Sequence, residues 1–190
     1  MNIHSKLKSI AVVLLSTLLT SCVVAVVAGA AAGMVYDRRS VTTLEADARI
    51  FHVAHTSIVT DPQFRDSRIL VTSFNRVVLL VGQTPTASLR VLAEKKAQSA
   101  PGVKRVYDEV TVNNPLPMTQ RTKDSWITSQ VRSNMLTKKG LESGSIRVVT
   151  ENGVVYLMGI VSPEQATLSV DVARRVKGVN KVVKIFQYIR

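Results

Sequence analysis

The chain is short of cysteine, aromatic residues and acids. Cys22 is the only cysteine among 190 residues, which excludes an intramolecular disulfide. Aromatics make up 5%, so cores have to be built from Val, Ile, Leu and Ala, and Trp126 is the single tryptophan. Asp and Glu number 13 against 25 Lys and Arg, a net charge of +12. That imbalance asks for an anionic partner: nucleic acid, an anionic membrane or an acidic protein. HExxH, a Ser-His-Asp order, a P-loop and a nucleophilic cysteine motif are all missing, so no catalytic residue, metal site or cofactor is expected. His52 and His55 stand three apart, as metal ligands on a helix can, but nothing nearby completes a site. Glu151 sits in a turn and is read as a solvated loop residue.

What is present is globular. Hydrophobic residues are 46% and charged residues 20%, in a length that suits one ordinary domain or two small ones.

The N-terminus is an address. Lys6 and Lys8 form a basic start, an apolar run from Ile10 reaches Leu19, and the segment ends in LLTSC, Leu18 to Cys22. A leucine, two small residues and a cysteine resemble the bacterial lipobox. The resemblance implies that residues 1–21 are a signal peptide cut before Cys22, and that the Cys22 thiol is lipidated. The alternative is a stray thiol in a transmembrane helix, because apolar residues continue through Val35; Ser16, Thr17, Thr20 and Ser21 interrupt that run. Val23 replaces the Asp that inner-membrane lipoproteins resemble one another in carrying, which favours the periplasmic face of the outer membrane. Loss of Lys6 and Lys8 leaves 23 basic against 13 acidic residues, net +10. Export removes nucleic acid from the candidate partners, and the basic residues are spread out rather than interleaved with stacking aromatics. Gly29 and Gly33 have GxxxG spacing, but the apolar stretch of about 13 residues is short of the roughly 20 that span a bilayer. Residues 22–45 are read as a lipidated tether.

An internal repeat organises the rest. At a shift of 77, Asp47 to Gly82 falls on Asp124 to Gly159 without a gap, with ten of 36 positions identical, among them Asp47/Asp124, Ile50/Ile127, Asn75/Asn152, Leu80/Leu157 and Gly82/Gly159. After one deletion the match resumes at a shift of 76 with Ala97/Ala173 and Gly102/Gly178. The arrangement predicts two similar small domains, 46–113 and 124–190, joined by the linker 114–123 with its two prolines. In each, Asp47 or Asp124 is expected to N-cap a first helix. Two strands follow, joined in the second copy by a Glu151-Asn152-Gly153 turn, with Asn75 left-handed in the first. A second helix begins near Pro85 or Pro163, Gly102 or Gly178 stops it, and a last strand closes the unit. The expected fold class is α+β, two tandem α-β-β-α-β units, each with two helices and a three-stranded mixed sheet.

At this point ENGVVYLMGIVSPEQA and VKGVNKVV resemble the BON domain, a small α/β module of bacterial envelope proteins. The likeness is looser in the first unit, where Arg76 replaces the turn glycine. Lipobox, two such units and SWITSQVRSNMLT together resemble dual-BON outer-membrane lipoproteins of the division- and outer-membrane-stress-associated, lipid-binding type. The resemblance implies a non-enzymatic protein that engages anionic phospholipid and supports envelope integrity.

The helix around Trp126 carries a site expectation of its own. At about 100° per residue, Ile127, Val131 and Met135 form one core stripe. Trp126 lies away from that stripe, and its counterpart in the first unit is Arg49, a poor core residue. The alternative is that Trp126 packs on the linker or the other domain. Tryptophan suits the headgroup zone of a bilayer. The expected lipid-binding residues are Trp126, Ser129, Gln130, Arg132, Ser133, Leu136, Lys138 and Lys139, docking on phosphatidylglycerol-like lipid. The competing partner is a periplasmic or outer-membrane protein, with the domains as adaptors for an assembly machine or a cell-wall enzyme.

Overall fold

The computed structural model describes residues 37–189. The leader, Cys22, and the Gly29/Gly33 pair lie outside the described residues. Two copies of one unit follow each other. The first runs α1 (Val41–Val59), β1 (Arg68–Phe74), β2 (Val77–Thr84), α2 (Ala87–Gln98) and β3 (Arg105–Val112). The second runs α3 (Met118–Thr137), β4 (Ile146–Glu151), β5 (Val154–Val161), α4 (Pro163–Arg174) and β6 (Lys181–Tyr188). In each sheet the hairpin strands pair antiparallel and the middle strand pairs parallel with the last, giving orders β1-β2-β3 and β4-β5-β6. The expected α+β organisation is what is found.

The helix starts differ from expectation. Ser40 caps α1 through its hydroxyl, and α3 starts after Pro117, so both helices begin six residues ahead of Asp47 and Asp124. Val41 lies inside the stretch read as tether, and Met118 inside the stretch read as linker. The aspartates sit on the buried side of their helices instead. Asp124 accepts the N–H groups of Asn152 (2.8 Å) and Gly153 (2.9 Å), with the Gln120 amide at 3.1 Å. Asp47 accepts those of Asn75 and Arg76 (both 2.7 Å), the Ser73 hydroxyl (2.8 Å) and the Arg39 guanidinium (2.8 Å). The carboxylate therefore does bind free backbone N–H groups, but those of the hairpin turn. It ties the first helix to β1–β2 or β4–β5. Each such charge-assisted bond contributes about 1.5–3 kcal/mol.

The turns need these donors because both central residues are left-handed: Asn75 and Arg76 at φ 50° and 64°, Asn152 and Gly153 at 50° and 72°. Arginine there is strained where glycine is not. Gly102 and Gly178 do not cap their helices. The C-caps of α2 and α4 are Ser99 and Arg175, and the glycines make the left-handed bend three residues on, at φ 91°. A Cβ on Gly159 would stand 2.9 Å from the Ser145 carbonyl oxygen, and one on Gly82 would clash with that of Arg68, so this shared glycine lets the first strand cross close.

The helical stripes are buried as expected: Ile50, Ala54 and Ile58 in α1, Ile127, Val131 and Met135 in α3. They pack on one face of each sheet, with Val78 and Leu80 in the first copy and Val155 and Leu157 in the second. The alternate strand residues do not face water. Phe74, Val77, Leu79 and Val81 meet Tyr156, Met158 and Ile185 in a third core. The two sheets pack face to face, and the helices form the outer layers.

Candidate functional site

Polar side chains ring the sheet–sheet core. Glu151 is 5% exposed, not solvated. One guanidinium nitrogen of Arg68 donates to both its oxygens (2.7 and 2.9 Å), and the Gln83 amide donates at 2.7 Å. Gln83 in turn accepts the Leu116 N–H at 3.0 Å, and Asn75 donates to Gln187 at 2.6 Å. Burial first, then the negative Glu109 and Glu151, pushes the Tyr156 hydroxyl up to about 12. This ring is a joint between the domains. In it the Glu151 carboxylate is matched by the Arg68 guanidinium and the Gln83 amide.

The outer helix α3 presents a different surface. It is 20 residues long, about 30 Å. Its buried residues are Asp124, Ile127, Val131 and Met135. Trp126 projects to the other side and is 50% exposed. It is absent from the buried residues of its helix, and half of its surface is open. Leu136 is 74% exposed and Met118 67%. Eighteen residues separate those two, five full turns, so they share one azimuth at opposite ends of the helix. Thr122, Ser129 and Ser133 lie between them, beside Trp126. The Thr122 and Ser129 hydroxyls donate to helix carbonyls four residues back, at 3.0 Å each, which keeps the face smooth. Met118 was missed by sequence reasoning because Pro115 and Pro117 read as linker; the i, i+18 relation to Leu136 is the signal that finds it.

The other expected residues divide. Gln130 flanks Trp126 and is half-buried. Arg132 is drawn off the outer face, its guanidinium donating to the Val148 carbonyl of β4 at 3.1 Å. Lys138 and Lys139 follow the helix end and are exposed. The only acid in α3, Asp124, is turned inward, and Glu142 beyond it is paired with Arg38 at 2.6 Å. The outer face is thus apolar and hydroxylic, with cations and no free acid on it.

His52 is exposed, while the His55 ring stacks on Phe51 at 5.2 Å. Among the described residues no group of three His, Cys, Asp or Glu could hold a metal ion, and no helix is long and apolar enough to cross a membrane.

Comparison with known proteins bears on this architecture. The BON domain family matches residues 47–114 and again 123–190. The outer membrane lipoprotein DolP of Haemophilus influenzae is 35% identical over 97% of this chain and 98% of its own. A 21 kDa hemolysin of Actinobacillus pleuropneumoniae is 37% identical over 81% of this chain and 80% of its own. Among solved structures, the C-terminal domain of CdsD from the type III secretion system of Chlamydia trachomatis is 13% identical, with a TM-score of 0.32, covering 75% of this chain and 96% of that one. With two matched units and a relative spanning nearly its whole length, the chain belongs to the BON domain family, as a dual-BON lipoprotein of the outer membrane.

Proposed function

We propose that this lipoprotein docks on anionic phospholipid, phosphatidylglycerol-like in charge, through the outer face of α3, and that it supports envelope integrity without catalysing a reaction. The observation that carries the proposal is Trp126, half exposed between Met118 and Leu136 on a helix face with no acid. An indole is at home among headgroups, its ring apolar and its N–H polar. Lys123, Lys138 and Lys139 are exposed around the face, and each contributes about 1 kcal/mol near an anionic surface. Ser129 and Ser133 are small enough to let the helix lie close.

Partial burial of the three apolar side chains adds about 2–3 kcal/mol. The total is near −5.5 kcal/mol, a Kd of about 0.1 mM. Docking that weak needs an anchor, and we assign it to the lipidated Cys22. Arg38 pairs with Glu142 in the loop after α3, so the chain leading from the tether enters the folded part beside this helix. The 16 residues from Cys22 to Arg38 span at most about 55 Å, and tethering raises the effective concentration of membrane at the helix into the millimolar range.

Co-sedimentation of the non-lipidated chain, residues 23–190, with vesicles tests the proposal. Trp126→Ala should weaken binding to phosphatidylglycerol vesicles about tenfold, a loss of ~1.4 kcal/mol. Binding should fall with added salt and vanish on purely zwitterionic vesicles. Trp126→Ala vesicle binding equal to wild type would contradict it.

A further inference from the structure

The two copies differ at one place unrelated to α3. In the first domain, Arg90 of α2 reaches across to the last strand. Its guanidinium donates to the Asp108 carboxylate at 2.7 Å and to the Asp108 main-chain carbonyl at 2.9 Å. The side chain thus closes the groove between α2 and β3 and occupies a backbone acceptor on an edge strand. The N-caps Thr86 and Ser162 place Arg90 opposite Ala166, and the strand registers place Asp108 opposite Lys184. Plug and partner are both missing from the second copy. In their place is a cleft of about 490 Å³ between α4 and β6, lined by Ala166, Val170, Asp171, Lys184 and Tyr188 among others.

β6 is a sheet edge, with β5 on one side only. Edges left open invite another strand, and proteins blunt them with lysine. Lys181 and Lys184 both lie on β6 and are exposed, and no ion pair engages either among the described residues. Two copies meeting edge to edge would set lysines against lysines along the seam, which disfavours self-pairing. The same charges favour an acidic strand. Asp171, the one acid on the rim, is already paired with Arg174 at 2.9 Å.

We propose that the α4–β6 groove receives an extended acidic segment of a partner protein, which adds to the free edge of β6. Its main chain pairs with β6, alternate apolar side chains enter between Ala166 and Val170, and a carboxylate meets Lys184. Strand addition takes its affinity from main-chain bonds and its selectivity from such alternate pockets. This site is independent of lipid docking by α3.

The test uses the full lipidated chain in nanodiscs of neutral phosphatidylcholine. The probe is a fluorescein-labelled heptapeptide alternating Glu and Val, with an alternating Lys and Val peptide as control. Anisotropy should show binding of the acidic peptide only. Lys184→Glu, a surface change, should weaken it at least about tenfold. Ala166→Arg with Lys184→Asp, which transplants the first domain's plug, should abolish it. Unchanged Trp126 emission establishes that both variants are folded. No binding of the acidic peptide to wild type, or equal binding to Lys184→Glu, overturns the proposal. So does plugging that leaves peptide binding intact while reducing binding to anionic vesicles, since the groove would then hold a lipid chain.

Discussion

The two outer helices, α1 and α3, repeat each other where they are buried and differ where they are not. Ile50, Ala54 and Ile58 become Ile127, Val131 and Met135, all buried. On the outside Val41 becomes Met118 and Val59 becomes Leu136, so the apolar ends of the face persist, exposed in both. The middle does not persist: Arg49 becomes Trp126, His52 becomes Ser129, and Glu45 becomes Thr122. Sheet packing fixes the inner stripe of both helices, whereas the outer face is constrained only by what it meets. A cation, an imidazole and a carboxylate were replaced by an indole and two hydroxyls, which makes one face of the pair suited to a headgroup layer. The α2–β3 and α4–β6 grooves differ in the same way, plugged in one copy and open in the other.

The largest expected effects fall on what the copies share. Asp124→Ala strands two turn N–H groups and should cost about 3 kcal/mol. Asp47→Ala strands two turn N–H groups as well and also removes the 2.8 Å ion pair with the buried Arg39, and should cost about 4 kcal/mol. Urea unfolding followed by circular dichroism measures both; equal losses would mean that Arg39 adds nothing to the first joint. Glu151→Ala should cost about 2 kcal/mol by leaving Arg68 and Gln83 unmatched, and small-angle scattering should show the two domains separating in part. Unfolding and scattering profiles identical to wild type would make the polar ring ornamental.

Smaller changes test how far the copies are interchangeable. Arg76→Gly gives the first turn the Asn-Gly sequence of the second and should stabilise it by about 1 kcal/mol, since it relieves a left-handed arginine. Destabilisation would show that the arginine side chain is needed at the turn. Last is the alkaline limit. Tyr156 is raised from 10.0 to about 12 by burial and by Glu109 and Glu151. The folded state therefore holds this proton more tightly than the unfolded chain. Stability from this group is complete below pH 10 and is lost as pH rises toward 12. Tyr156→Phe should flatten that part of the stability profile, and an unchanged slope between about pH 10 and 12 would place the loss elsewhere.

Much of this fold was legible because the repeat acts as its own control. The helical stripes, the Asn-Gly turn and Trp126 off the stripe all follow from residue spacing. Two features did not. Asp47 and Asp124 looked like caps because a carboxylate that accepts backbone N–H groups is commonest there; a bond to a turn 28 residues away has no local mark. Glu151 looked solvated because its burial comes from Arg68 and Gln83 of the other domain. The sheet–sheet contact did leave a signal. VVLLV and VVYLM are continuous apolar runs, not alternating ones, and a strand buried on both faces needs a second layer.

The central claim is that Trp126 meets lipid, and its fluorescence answers that without a label, since no other tryptophan exists in the chain. Residues 23–190 titrated with phosphatidylglycerol vesicles should show a blue shift of the emission and quenching by brominated acyl chains, both absent with phosphatidylcholine vesicles. Emission unchanged by anionic vesicles to which the protein is bound would place the contact away from α3 and contradict the account.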